Sequence, residues 1–126
     1  MTLEAELAHL ERRLDGGEGE GLEPAVAAAI DVAHGAMRAY LAAKGGKPDP
    51  GPQADLLEVF ALLARGEPSW HAIRENLREL VYYRNCIAAG RRDALPAHPA
   101  RMALRLARHL VLYIRTRCVR EGLLQG

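Results

Sequence analysis

Aromatic side chains are scarce in this chain: one Phe, one Trp and four Tyr among 126 residues. A core with so few rings is built from aliphatic side chains. The sequence supplies Leu, Ala, Val and Ile, a mixture that suits helices better than sheet. Lysine is nearly missing, with two against 15 arginines. Only two cysteines occur, Cys86 and Cys118, and neither they nor the five scattered histidines show ligand spacing. A disulfide framework and a zinc site are therefore not expected, and no cofactor is implied. No run of 18 apolar residues exists, and Met1 is followed by acidic rather than basic residues. The expectation is a reduced, cytoplasmic protein without a membrane partner.

The net charge of +1 conceals an asymmetry. Residues 1–83 carry 8 basic and 14 acidic side chains, a net of −6, whereas residues 84–126 carry 9 arginines and 2 acids, a net of +7. Either the halves neutralise each other, within the fold or across a dimer, or the basic part meets an anionic partner such as RNA.

Periodicity along the chain is helical throughout, with no strand alternation and no internal repeat. Residues 3–14 place Leu3, Leu7, Leu10 and Leu14 on one stripe, with Thr2 as a cap. The GGEGEG segment, residues 16–21, breaks it. A second helix starts near Glu23 and Pro24, turns Val26, Ile30, Ala33, Met37, Tyr40 and Leu41 inward, and ends at Lys44 and Gly45. Residues 45–53 form a Pro/Gly loop. A shorter helix spans residues 54–65 through Leu56, Leu57, Phe60 and Leu63, and Gly66 stops it. Ser69 caps a fourth helix over 69–89, ended by Gly90, and a proline loop covers 91–99. A final helix over 100–120 points Met102, Leu106, Leu110, Tyr113 and Ile114 inward, with Arg101, Arg105, Arg108 and Arg115 on the opposite side. The predicted fold is all-α: a single domain over residues 1–126, an antiparallel bundle of four long helices and a shorter one.

Within the fourth helix, Trp70, Ile73, Leu77, Leu80, Ile87 and Ala88 share a face at three- and four-residue steps. Arg84, four beyond Leu80 and three before Ile87, falls on that face. Arginine is almost never buried without a partner. It must meet a carboxylate, a phosphate, a backbone carbonyl or the open edge of an interface. Tyr82 and Tyr83 point away from the centre of the stripe, as packing groups or as surfaces for base stacking. Cys86 reads as a buried thiol.

The order of segments adds to this. Residues 28–45 (AAIDVAHGAMRAYLAAKG) are followed by a Pro/Gly loop, then 55–67 (DLLEVFALLARGE), 77–90 (LRELVYYRNCIAAG) and a long last helix. Over residues 24–118 this order resembles the HEPN superfamily, the higher eukaryote and prokaryote nucleotide-binding domains. Within it the chain is similar to the HepT-like branch, encoded beside minimal nucleotidyltransferases. The resemblance implies a homodimer. It also implies a metal-independent ribonuclease site at the dimer cleft, in which an arginine stabilises the scissile phosphate and a histidine five positions later moves protons. Arg84 and Asn85 match that motif. The histidine position is Ala89, and the position of a tyrosine found in many HepT-like proteins is Arg91.

A positioned acid–base group is worth roughly 10²–10⁴ in rate, so its loss points to a binding protein. The first expectation is thus a HepT-like component of a toxin–antitoxin or nucleotidyltransferase-associated system. It would bind RNA, a nucleotide or a partner enzyme through a dimer cleft containing Arg84 and Asn85, with Arg91, Arg92, Arg101, Arg105 and Arg108 as further anion-binding groups. A second is an active ribonuclease in which a displaced histidine, His98 first, replaces the missing one. His34, His71, His9 and His109 read as packing or surface groups. A third is a ligand-free interaction module in which Arg84 pairs with an acid such as Glu58 or Asp31, or with one across the dimer seam.

Overall fold

The computed structural model describes Ala5, Ala8, His9, Arg12 and residues 21–123. These are helices, turns and loops, with no strand among the described residues. Between residues 21 and 123 four α-helices follow one another: α1 (Leu22–Lys44), α2 (Leu56–Ala64), α3 (Arg74–Ala88) and α4 (Pro99–Arg120). Short 3₁₀ segments, Pro68–Ile73 and Arg92–Ala94, lead into α3 and α4. Ala5, Ala8, His9 and Arg12 are helical, and the rest of the helix expected over 3–14 lies outside the described residues, as does most of the 16–21 loop. No described helix is long and apolar enough to cross a membrane.

α1 and α4 are the long central helices. Ala25, Ala29, Val32, Ala33, Ala36 and Met37 of α1 are buried, as are Ala103, Leu104, Ala107, Leu110 and Ile114 of α4. Alternating Ala with larger aliphatics lets two helices approach closely while Met37 and Leu110 fill the space between. α2 buries Leu56, Val59, Phe60 and Leu63 against the same core. Its start is fixed by Asp55, whose Oδ2 accepts from the Leu57 N–H at 3.3 Å. After α2 the chain reverses at Gly66, whose φ of 76° lies in the region that side chains rarely adopt.

Two expectations for the fourth predicted helix need correction. It is not one α-helix over 69–89: Pro68 opens a 3₁₀ segment, which eclipses Trp70 and Ile73 and buries both, and the α-helix starts at Arg74. Ser69 therefore caps no helix. Its carbonyl accepts from the Tyr113 hydroxyl at 2.8 Å and its hydroxyl from Arg117 at 2.7 Å. The second correction is to the phase of the buried face. Tyr83, expected to point outward, is buried, and its hydroxyl donates to Glu79 at 3.0 Å. Arg84 and Ile87 are half-buried and Ala88 is exposed. The positions three and four beyond Leu80 flank the same stripe. The ring takes the inner one because it buries apolar area and its one polar atom finds a partner. A guanidinium there would be desolvated without one.

Candidate functional site

Arg84 stands on the wall of a groove of about 520 Å³ between α1 and α3. Val26, Ala27 and Ile30 line it from α1, and Ile87 and Ala88 from α3. Glu23 and Asp31 of α1 stand beside these apolar positions. The helices run antiparallel here. Arg92, four residues past Ala88, reaches Glu23 at 3.0 Å near the start of α1. Arg84 reaches Asp55, while the neighbouring Ala54 carbonyl accepts from His34 Nε2 at 2.8 Å, more than two turns further along α1.

Among the described residues, the Arg84 guanidinium makes one hydrogen bond. Nη1 donates to Asp55 Oδ1 at 3.3 Å, and the two side chains are 41% and 42% exposed. Asp55 thus holds the start of α2 with one oxygen and Arg84 with the other. A half-exposed, single-bond pair of this kind contributes about 0–1 kcal/mol. It anchors the guanidinium but leaves most of its donors facing the groove and solvent. The partner is Asp55, not the Glu58 or Asp31 expected from sequence.

The other predicted site residues do not converge on this groove. Asn85 is exposed and does not line it, because one residue of helix turns its side chain about 100° away from Arg84. Ala89 is the exposed C-terminal boundary residue of α3. His98 lies before Pro99 with a left-handed φ of 53° and is exposed at the start of α4, outside the groove lining. No histidine lines the groove. Arg91 makes a two-bond pair with Asp93, both at 3.1 Å, and Arg92 pairs with Glu23. Arg101, Arg105 and Arg108 are exposed along α4, as expected for the face opposite its buried stripe. Residues 94–120 contain no acid of their own.

A cluster that sequence reasoning missed joins the far ends of α1 and α4. Arg117, its side chain only 12% exposed, lies 3.9 Å over the Trp70 ring. It donates to Glu67 at 2.9 Å, Glu121 at 3.1 Å and the Ser69 hydroxyl at 2.7 Å. Glu121 also accepts from Tyr40 at 2.6 Å and Lys44 at 2.7 Å. The hydrogen bonds from Lys44 and then Tyr40 hold the Glu121 carboxyl down, from an ordinary 4.5 to about 2; burial opposes them and Arg117 adds to them. Burial and the Glu121 contact push the Tyr40 phenol above its ordinary range. These groups satisfy one another and bind α4 to α1 and to the turn carrying Trp70, which makes the cluster a structural clamp.

No group of three or more His, Cys, Asp or Glu that could hold a metal occurs among the described residues, and Cys86 and Cys118 are free, buried thiols. Comparison of the chain with models of known families, with curated proteins and with solved structures gives no match.

Proposed function

We propose that this protein is a homodimeric, HepT-like HEPN binding protein. It holds a phosphate group of RNA or a nucleotide at Arg84 and has lost ribonuclease activity. The observation that carries this reading is the state of Arg84: an arginine on the wall of an open, largely apolar groove, fixed by one weak contact to Asp55. A phosphate offers two oxygens to the guanidinium fork and displaces a single 3.3 Å carboxylate contact at little cost. Arg101, Arg105 and Arg108 are exposed on α4 and would add to the attraction for a polyanion. The ordered segments of α1 to α4 support the family reading. On that reading the protein works in the cytoplasm within a toxin–antitoxin or nucleotidyltransferase-associated system, with a minimal nucleotidyltransferase as its partner enzyme.

Fluorescence anisotropy with a labelled single-stranded RNA and with a nucleoside triphosphate tests the reading. Arg84→Ala should weaken binding by about tenfold or more, the loss of one charge-assisted bidentate contact. Unchanged binding would remove Arg84 from the site. Incubation with mixed RNA should show no cleavage, and cleavage that His98→Ala abolishes would restore the ribonuclease reading. The Arg84–Asp55 pair favours one alternative, a ligand-free interaction module in which that pair is structural. This alternative requires that no RNA or nucleotide bind at all.

A further inference from the structure

The outer face of α4 and the segment that precedes α1 share a repeat and carry opposite charge. Arg101, Arg108 and Arg115 recur every seven residues, two turns of helix, so they form one line along α4, and all three are exposed. The helix holds six arginines and no acid of its own. Residues 1–20 hold six acids and two arginines, a net of −4. Leu3, Leu7, Leu10 and Leu14 recur there at four- and three-residue steps, and Glu4, Glu11 and Asp15 fall along one edge of that stripe. Glu4 and Glu11 are seven apart, as are Arg108 and Arg115. Ala5, Ala8, His9 and Arg12 of this segment are helical.

We propose that residues 3–15 dock as one helix along α4, antiparallel to it, with Glu11 at Arg108, Glu4 at Arg115 and Asp15 toward Arg101. The path of the chain leads there. Glu23 meets Arg92 shortly before α4, and Tyr40 and Lys44 meet Glu121 at its end, so α1 and α4 run side by side in one direction. A segment that joins α1 at Gly21 therefore starts beside the first turn of α4. Residues 16–21, four of them glycine, allow it to double back along that helix. The lengths agree: at 1.5 Å per residue, residues 3–15 span about 20 Å and Arg101 to Arg115 about 21 Å. The facing agrees as well. Ala5, His9 and Arg12 lie opposite the leucines on the helical wheel and are exposed, so the outer side of the segment is the side away from the leucines. The leucines then settle beside the arginines, on the seam between α4 and α1, while the acids meet the arginine line. In this register an RNA reaching the α4 arginines must displace a resident acidic helix, a consequence that rests on the function proposed above.

Cross-linking of the full chain tests the docking. Cys86 and Cys118 are buried, so Glu11→Cys with Arg108→Cys supplies the accessible thiol pair. A short bis-maleimide should join them within one chain, read by mass spectrometry as two linked peptides at monomer mass. Glu11→Cys with Arg78→Cys, on exposed α3 surface, should not link. No link in the first pair, a link found only between chains, or equal linking in both pairs would overturn the proposal. Charge reversal gives a second measurement, with circular dichroism as the check on folding. E11R and R108E should each lower the Tm, and together they should recover most of the loss, because the swapped charges meet again. A double variant no more stable than the weaker single one would also overturn it. Glu4→Gln with Glu11→Gln should raise affinity for labelled RNA several-fold. A protein that cross-links as expected but binds no RNA or nucleotide would sink the proposed function and leave this docking standing.

Discussion

Glu121 should make the stability of this protein fall steeply in acid. Its carboxylate sits at the C-terminal boundary of α4, where the helix dipole disfavours a negative charge. Lys44 at 2.7 Å, Tyr40 at 2.6 Å and Arg117 at 3.1 Å reverse that preference. Together they lower the carboxyl from 4.5 to about 2. A depressed carboxyl contributes stability that is fully present above its unfolded value and disappears as the pH falls through its folded one. The window therefore runs from about pH 5 down to pH 2. At about 1.36 kcal/mol per pH unit the full shift corresponds to about 3 kcal/mol. Glu121 is 20% exposed and Lys44 43% exposed, so solvent screening reduces the figure to about 2 kcal/mol.

Urea denaturation of the unaltered protein and Glu121→Gln at a series of pH values measures this directly. At pH 7 the variant should be less stable by about 2 kcal/mol. The gap should narrow below pH 5 and close near pH 2, where the glutamate is itself being protonated. Asp49 and Asp93 are also held low, by Arg38 and Arg91 first. They titrate in both proteins and cancel in the difference. Equal stability at pH 7, or a gap that persists undiminished at pH 2, would refute the clamp as an electrostatic device.

Three further outcomes follow from the same contacts. Trp70→Ala removes a fully buried ring, its indole contact to Glu67 at 3.2 Å and the surface under Arg117; it should cost about 3–5 kcal/mol in chemical denaturation. Gly66→Ala meets open space for its new Cβ, yet its φ of +76° should still cost about 1–2 kcal/mol, seen as a lower Tm. Asp55→Asn keeps a side-chain oxygen for the α2 N-terminus while removing the charge that engages Arg84. Thermal stability should therefore hardly move while RNA affinity rises by up to about fivefold, the equivalent of the competing pair; an unchanged or weakened affinity would count against a phosphate site at Arg84.

The sequence was most readable where local signals agreed. Pro24 near the start of α1, Lys44 at its end and Gly45 beyond it bound a helix in which Val26, Ala33, Met37, Tyr40 and Leu41 were visible as inward from spacing, while Ile30 lines the groove instead. α4 was similar, with Arg101, Arg105, Arg108 and Arg115 outside and Leu106, Leu110 and Ile114 buried. Readability failed where two residues competed for one stripe. Tyr83 and Arg84 both satisfy the spacing from Leu80, and periodicity cannot rank them; the cost of desolvating a guanidinium does. It failed again for Arg117. Trp70, Glu67, Tyr40 and Glu121 reach that side chain or one another from distant segments, with Tyr40 and Glu121 81 residues apart. No local pattern encodes such a meeting.

The charge asymmetry of the chain resolves unevenly, and the unevenness separates fixed charges from exchangeable ones. Among the described residues, three arginines of the basic half pair with acids of the other: Arg117 with Glu67, Arg92 with Glu23 and Arg84 with Asp55. The first is largely buried, multiply bonded and stacked on a ring, so replacing its partner would strand a charge. The other two are exposed, and the Arg84 and Arg92 contacts to carboxylates are single. Surface pairs of this kind exchange partners at little cost, and both border the same groove. Exchanging the partner of Arg84 or Arg92 therefore leaves the clamp at the far end of α1 intact. The exchangeable pairs and the clamp are separated along that helix, and each can be altered by substitution without the other.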